Sequence, residues 1–257
     1  MMNIQTLCTY LIWFMVYSFF GWIYESLLRS YTHKRWYNSG FLNGPYIPIY
    51  GCGAVMDIFF LSDLKEPFLI FLYAAIINCI LEYITSYVME LLFHARWWDY
   101  SKKPLNLNGR IYYGGFLAFG IMAMAVVLYV HPFLKAHTTD LMDPASLYVC
   151  ASLVVIMIFT DTYITVTNMK DLEEKLTQLT IALEEARVKL ESDLETKLEE
   201  LPEFQKIREL RQRFNFQEKR LLDAFPDLKF KEIRYTAKEI RDMIRQENKK
   251  LFAIRKP

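Results

Sequence analysis

The sequence has few cysteines, and their spacing excludes the two common uses of paired cysteines. The four are Cys8, Cys52, Cys79 and Cys150, each in or beside an apolar run and none in a CxxC pair. Zinc sites and disulfide frameworks need closely or regularly spaced cysteines. We therefore interpret all four as small packing residues and predict no metal site. The histidines form no HExxH pair, and we interpret them as loop or interface residues.

Nucleotide-binding and hydrolytic motifs are also lacking. There is no GxxxxGK[ST] phosphate loop, no GxSxG elbow and no dinucleotide fingerprint. We therefore expect no cofactor. No motif favours enzymatic activity, and a membrane enzyme acting on lipid stays open as a weaker alternative. ATP-driven transport would need a separate ATPase subunit. The net charge of only +1 gives no basic balance, so nucleic acid is not an expected partner.

Long apolar runs dominate the chain before Thr167, whereas most charged residues follow it; 53% of all residues are hydrophobic. The runs are Ile4–Leu28, Ile47–Leu61, Phe68–Phe93, Tyr112–Val130 and Ala145–Thr167. Runs of about 20 apolar residues predict helices that cross a bilayer, and only the second run is short for this. The sequence therefore predicts an all-α polytopic bundle of about five spans, with residues 1–167 as the membrane domain.

Basic residues predict the orientation of these spans. The first and third loops carry Arg29, Lys34, Arg35, Arg96, Lys102, Lys103 and Arg110, whereas the second and fourth carry only Lys65 and Lys135. By the positive-inside rule, the first and third loops are cytoplasmic. This predicts an outside N-terminus, a cytoplasmic C-terminal tail and a multi-pass protein of the cell membrane. Making the second run re-entrant would break this agreement, so we favour a real span.

The pattern changes to a heptad-like repeat after Thr167. Apolar residues recur at spacings of three and four at Leu172, Leu176, Leu179, Leu183, Ala186 and Leu190, and the series continues at Leu194 and Leu198. This predicts an amphipathic helix over residues 168–201, either a short coiled coil that joins two copies or a helix packed on its own chain. Residues 202–257 follow as a basic helical tail, with helices predicted over Phe204–Ala224 and Lys229–Phe252. The tail's basic face is either solvated or in contact with anionic lipid headgroups.

One stretch, GFLNGPYIPIYGCG over Gly40–Gly53, combines glycine and proline between apolar runs. Both residue types interrupt regular helix, so the stretch predicts an irregular start to a membrane helix. It is either a connecting turn with interface tyrosines or a broken-helix element of the kind that transporters use. Its tyrosines would share one face if the helix has begun by then. The residues concerned are Gly44, Pro45, Tyr46, Pro48, Tyr50 and Gly51.

Several ionisable residues lie inside the predicted spans, where charge is costly and often functional. Glu82 is the foremost candidate, because Asn78 and Ser86 lie four residues before and after it on the same helix face. Glu25 and Asp161 fall toward the cytoplasmic halves, and Asp57 lies in the short second run. We interpret Glu25, Asn78, Glu82 and Asp161 as either a substrate or proton pathway or a structural polar network.

A further polar motif lies at the predicted membrane edge, in the loop after the third span. It consists of the WDYS box, Trp98, Asp99, Tyr100 and Ser101, and the NGR box, Asn108, Gly109 and Arg110. Asn–Gly is a turn signal, and tryptophan suits the membrane interface. We therefore interpret the motif as a turn with an interface anchor in preference to a catalytic site.

These motifs occur in one order: GWIYES, GFLNGPYIPIYGCG, LEYITS, WWDYS and NLNGRI. In this combination the chain resembles the bacterial CmpB-type family of type IV ABC-transporter membrane proteins, most strongly over residues 17–119. The resemblance implies a small polytopic permease-like transport component. The matching positions are Glu25, Gly44, Pro45, Pro48, Tyr50, Gly51, Glu82, Asp99 and Arg110. The alternative from another class is a membrane-anchored sensing or interaction protein that signals through its helical tail.

Overall fold

The fold is described from a computed structural model. It covers residues 3–34, 36–192, 202–231, 233, 235–240 and 242. The long helices are α1 (Ile4–His33), α3 (Pro67–Phe93) and α6 (Pro144–Ser192), and a short helix α2 covers Pro48–Leu61. Between α3 and α6, α4 (Tyr113–Ala125) passes through a π-helical turn, Val126–Val130, into α5 (His131–His137). A 3₁₀ turn follows α5 at Thr139–Leu141, and the tail contains α7 (Pro202–Arg213) and α8 (Phe216–Ala224). Residues 237–240 are also helical.

Strands in the described residues are short and form two antiparallel pairs. Strand β1 (Ala95–Arg96) pairs with β4 (Lys229–Phe230), and β2 (Asn106–Leu107) pairs with β3 (Ile111–Tyr112). The helix predicted from Lys229 is therefore wrong at its start, because Lys229 and Phe230 bond to the backbone of β1. The helix predicted over Phe204–Ala224 is two helices, separated where Asn215 caps α8 through a reciprocal pair of hydrogen bonds with Glu218.

Four helical stretches are long and apolar enough to cross a bilayer: Ile4–Thr32, Pro67–Phe93, Tyr113–Leu141 and Pro144–Glu185. The third is longer than predicted, because the helix continues past Val130 through the π-helical turn. The fourth runs without a break through the boundary predicted at Thr167. Helix α2 has 14 residues, about 21 Å at 1.5 Å per residue, and is too short to span alone.

The chain divides into two compact units. The first, here called the membrane unit, comprises Met1–Val88 and Asp99–Ile164, and the second, the tail unit, comprises Met89–Trp98 and Thr165–Pro257. The core of the membrane unit includes Ile70 and Ala74 of α3, which are fully buried. Two further buried clusters centre on Leu147 and Trp13. Many other large apolar side chains of this unit are exposed, as expected where hydrocarbon surrounds the helices.

The tail unit buries the first leucines of the predicted seam within a single chain. Leu172, Leu176 and Leu179 are each at most 2% exposed. Glu218 of α8 is fully buried and accepts a 2.7 Å hydrogen bond from the Lys175 ammonium group. A second copy is therefore not needed to cover these leucines, which fits the alternative of a helix packed on its own chain. Leu194 and Leu198 lie outside the described residues.

Candidate functional site

The Gly40–Ile47 segment lies alongside the second half of α1. The Ser39 amide donates to Ser26 Oγ at 3.2 Å, and the Ile47 amide donates to the Ser18 carbonyl at 2.9 Å. Ser18 is near the middle of α1, so α2 begins near the middle of that helix. From there α2 packs along the first half of α1, where Phe59 lies edge-on to Tyr10. The extended segment and the short helix together therefore run antiparallel to most of α1.

Close packing of α2 on α1 depends on a glycine. A Cβ at Gly51 would overlap Ser18 Oγ and the Phe14 carbonyl oxygen of α1. The irregular start predicted for this helix is a sharp change from extended backbone to helix at Pro48, the first residue of α2. Tyr46 precedes the helix, so the condition under which Tyr46 and Tyr50 would share one helix face is not met. The two hydroxyls bind different carboxylates.

Asp161 of α6 holds the extended segment. Its carboxylate accepts hydrogen bonds from the Asn43 amide (2.9 Å), the Gly44 amide (2.8 Å) and the Tyr46 hydroxyl (2.7 Å). Asp161 is 9% exposed and Tyr46 2%. The three hydrogen bonds fix the backbone before α2.

Glu25 of α1 is bound from two sides. Its Oε2 accepts a 3.0 Å charge-assisted hydrogen bond from Arg29 Nε, as expected for residues four apart on a helix. Its Oε1 accepts from the Tyr50 hydroxyl at 3.2 Å. The side chain of Glu25 is 27% exposed, so this end of the site is accessible. Tyr50 thus links α2 to the carboxylate-bearing half of α1.

Glu82 of α3 is the more enclosed carboxylate. It is 8% exposed, and its Oε1 accepts from the Tyr100 hydroxyl at 3.4 Å. Within the described residues its Oε2 is buried and has no hydrogen-bond partner. Burial raises the pKa of Tyr100, and the negative charges of Glu82 and Glu25 raise it further. Both carboxylates therefore act on the same tyrosine, which makes Glu25, Tyr50, Glu82 and Tyr100 one polar cluster.

The predicted stripe Asn78–Glu82–Ser86 is divided among three partners. Asn78 Nδ2 donates to Asp57 Oδ2 of α2 at 2.8 Å and also to the Ala74 carbonyl oxygen at 2.9 Å. Glu82 binds Tyr100, and Ser86 Oγ accepts from Arg110 Nη1 at 2.9 Å. The stripe is therefore a docking edge on α3 that holds α2 and the following loop.

Asp57 is almost fully buried, at 2% exposed, opposite Asn78. Among the described residues its Oδ1 has no hydrogen-bond partner. Gly53, one turn earlier on α2, makes room for the Asn78 side chain, because a Cβ there would overlap Asn78 Oδ1. Asp57 is thus a second enclosed acid at the α2–α3 interface, separate from the Glu82 cluster.

The membrane-edge motif forms a structured loop that carries Tyr100 to Glu82. Asp99 Oδ1 accepts from the Ser101 amide at 2.9 Å, and the Tyr100 amide donates to the Gly109 carbonyl at 2.8 Å. Gly109 has φ +67°, and a Cβ there would collide with Asp99 and Ser101. The predicted turn is therefore correctly placed. It requires glycine because of the positive φ and because a side chain would have no space there.

Two side chains from the NGR box dock this loop on α3. Asn108 Nδ2 donates to the Tyr83 hydroxyl at 2.9 Å. The Arg110 guanidinium is 8% exposed and lies 5.7 Å and 5.4 Å from the ring centroids of Tyr83 and Tyr87. These contacts hold Tyr100 against its carboxylate. Trp98 belongs to the tail unit, so the WDYS box divides between the two units.

The Glu82 cluster does not include every predicted site residue. Asp161 binds the extended segment, and Asn78 binds Asp57. Sequence reasoning also missed His131, which is 7% exposed in α5 and not in a loop. Its Nδ1 lies 3.1 Å from the Tyr17 hydroxyl of α1. The signal available was a histidine directly before Pro132, a residue that is common in the first turn of a helix.

No metal site is formed by the described residues, where no three His, Cys, Asp or Glu side chains converge suitably. The family model of the CmpB-type proteins, described as "Putative ABC-transporter type IV", matches residues 12–166. The chain belongs to this family. The match includes the Glu82 cluster, Asp161 and the Gly40–Ile47 segment. Comparison with curated proteins and with solved structures gave no match. Membership in the CmpB-type family and the four long apolar helices together indicate a membrane protein of the ABC-transporter type.

Proposed function

We propose that this chain is a permease-like transport component of the cell membrane, with an intramembrane site formed by Glu82, Tyr100, Glu25 and Tyr50. The observation that carries the proposal is the buried Glu82 Oε2, which has no partner among the described residues. A polar atom enclosed without a partner is costly unless a ligand, ion or water completes it. Glu82 Oε2 is therefore the atom at which we place a ligand, an ion or a water; Asp57 Oδ1 is a second enclosed carboxylate oxygen of this kind.

The discontinuous second span supports a route for a substrate to this site. The extended Gly40–Ile47 segment and α2 make a discontinuous span beside α1, and transporters place substrate sites at such interruptions. Tyr50, in the first turn of α2, binds Glu25 and so brings the interruption to the cluster. A discontinuous second span also agrees with five crossings, an outside N-terminus and a cytoplasmic tail.

The test compares Glu82→Gln with Glu66→Gln in a strain that lacks the gene. Glu66 is an exposed residue of the turn before α3 and serves as the matched control. Glu82→Gln keeps the side-chain size but removes the carboxylate, so we expect membrane insertion to persist and function to be lost. Full complementation by Glu82→Gln would refute the proposed site.

A separate ATPase subunit is part of the proposal, because no phosphate-loop motif occurs in this sequence. Purification of the tagged chain from native membranes in mild detergent should recover a nucleotide-binding subunit at a fixed ratio. ATP hydrolysis in the purified complex should disappear when that subunit is removed. Recovery of the chain with no ATPase would argue against ATP-driven transport.

A second candidate function is signalling through the tail. It is favoured by α6, which continues without interruption for 49 residues from the membrane unit into the tail unit. A single helix transmits rotation or displacement along its axis more directly than a flexible linker does. Deleting residues 170–257 distinguishes the two functions. Lost function with an intact membrane unit favours signalling, whereas unchanged function refutes it.

A further inference from the structure

An apolar groove lies on the membrane unit, on the side of α3 that faces away from Asp57. Its volume is about 610 Å³. Its lining includes Ile76, Ile80 and Ile84, which are spaced four apart on α3, and Phe116 of α4. Leu105 and Leu107 also line it. From Ile76 to Ile84 the groove runs about 12 Å along the helix.

The loop that carries Leu105 is unusual in its backbone conformation. Leu105 has φ +48° and is 80% exposed. Leucine rarely adopts a left-handed conformation. In water, an exposed leucine side chain would bury no apolar surface that could offset the cost of this conformation. Hydrocarbon around the loop end would provide that burial. The conformation is fixed by Asn106, whose Nδ2 donates to the Ser101 and Lys103 carbonyls at 3.2 Å and 2.8 Å.

The positive charges in the loop that carries Leu105 favour a ligand with an anionic headgroup. Residues 99–112 contain Lys102, Lys103 and Arg110 and one acidic residue, Asp99, which is hydrogen-bonded to Ser101. Lys102 and Lys103 are exposed and precede Leu105, which lines the groove, by three and two residues. An apolar groove with two exposed lysines in its adjoining loop is complementary to a lipid with an anionic headgroup.

We propose that this groove binds one anionic phospholipid, with an acyl chain along Ile76, Ile80 and Ile84 and its phosphate at Lys102 and Lys103. The proposal rests on membrane embedding alone and not on the transport function. Tyr112 connects the two sites. It lines the groove, and its ring lies 4.7 Å from that of Tyr100, the donor to Glu82. Lipid in the groove therefore supports the tyrosine pair beside the Glu82 cluster.

The test is native mass spectrometry of the full chain, purified in mild detergent and then titrated with phosphatidylglycerol or phosphatidylcholine. We expect one phosphatidylglycerol per chain to be retained in preference to phosphatidylcholine. Ile80→Trp fills the groove and should abolish retention, whereas Ile156→Trp, at an equally exposed isoleucine of α6 outside the groove, should not. Circular dichroism of both variants checks that the helices are intact.

A second pair of variants tests the headgroup. Lys102→Gln with Lys103→Gln should weaken phosphatidylglycerol binding by roughly 10- to 30-fold, because each lysine near a membrane surface contributes about one decade or less. Lys65→Gln with Lys135→Gln, at exposed lysines in the turn before α3 and in α5, is the matched control. Equal binding of both lipids, or retention by Ile80→Trp at the level of the unaltered chain, would overturn the proposal.

Discussion

The Tyr46 hydroxyl donates a 2.7 Å hydrogen bond to Asp161, although 115 residues separate them in sequence. This contact joins the last helix of the membrane unit to the segment that precedes α2. The same carboxylate accepts from two backbone amides of that segment. Asp161 is therefore the acceptor that allows an irregular backbone to lie among membrane helices, where unsatisfied amides are costly.

Asp161→Ala should destabilise the membrane unit by about 2–4 kcal/mol, because it leaves the Asn43 and Gly44 amides and the Tyr46 hydroxyl without this acceptor. Thermal unfolding in detergent measures the change. Asp63→Asn, in the exposed turn after α2, is the control and should have little effect. An unfolding temperature for Asp161→Ala equal to that of the control would show that the segment does not depend on this carboxylate.

Gly51→Ala should lower stability by about 1–3 kcal/mol, because its methyl group would overlap both Ser18 Oγ and the Phe14 carbonyl oxygen. The carbonyl belongs to the backbone, so Ser18→Gly in the same chain should restore only part of the loss. Gly115→Ala is the matched control, since its Cβ would make only ordinary contacts with Tyr112 and Phe119. Complete rescue by Ser18→Gly would mean that α1 and α2 can separate freely.

The start of α6 should be sensitive to acid. Asp143 accepts from the Ala145 amide at 2.9 Å and the Ser146 amide at 3.1 Å, and hydrogen bonds from Ser146 hold its pKa below the usual aspartate range. A lowered folded pKa gives stabilisation that is present above the unfolded pKa, about 3.9, and is lost as the pH falls through the folded value.

Asp143→Ala should therefore increase hydrogen exchange in the first turn of α6 at neutral pH, and the difference from the unaltered chain should shrink on acidification. Exchange of the Ala145 and Ser146 amides measured against pH reports it directly. Asp140→Ala, in the preceding 3₁₀ turn, is the control. A difference that grew as the pH fell would have the wrong sign for this cap.

Local spacing predicted those parts of the site that one helix defines. Glu25 and Arg29 are four apart in the sequence, a spacing that places them on one helix face, and they form an ion pair. The spans could be located for the same reason, because their apolar residues are contiguous. The partners of Glu82 could not be predicted, since Tyr100 reaches it through a loop whose position depends on the docking of Arg110 and Asn108 on α3.

The tail shows a second limit of periodicity. Leucines at heptad spacing require an apolar partner, but the spacing alone does not say whether that partner is a second copy or the same chain. Leu172 and Leu176 are buried within one chain, so their apolar partner at these positions is the same chain. Strand β4 gave no signal at all, because two residues are too few for a period and its pairing with β1 is set by the fold.

Tyr100→Phe tests the Glu82 cluster with the smallest change available. It removes the hydroxyl that donates to Glu82 Oε1, while the ring can still pack on Tyr112. We expect function in the complemented deletion strain to fall roughly tenfold, as for the loss of one hydrogen bond to a charged group, with little change in unfolding temperature. Tyr129→Phe, at a tyrosine that is 72% exposed, should retain full function. Tyr100→Phe would contradict this prediction if it lowered the unfolding temperature and left function intact at matched protein levels. Tyr100 would then have a structural role in its loop, and the site proposed around Glu82 would lose its hydrogen-bond donor.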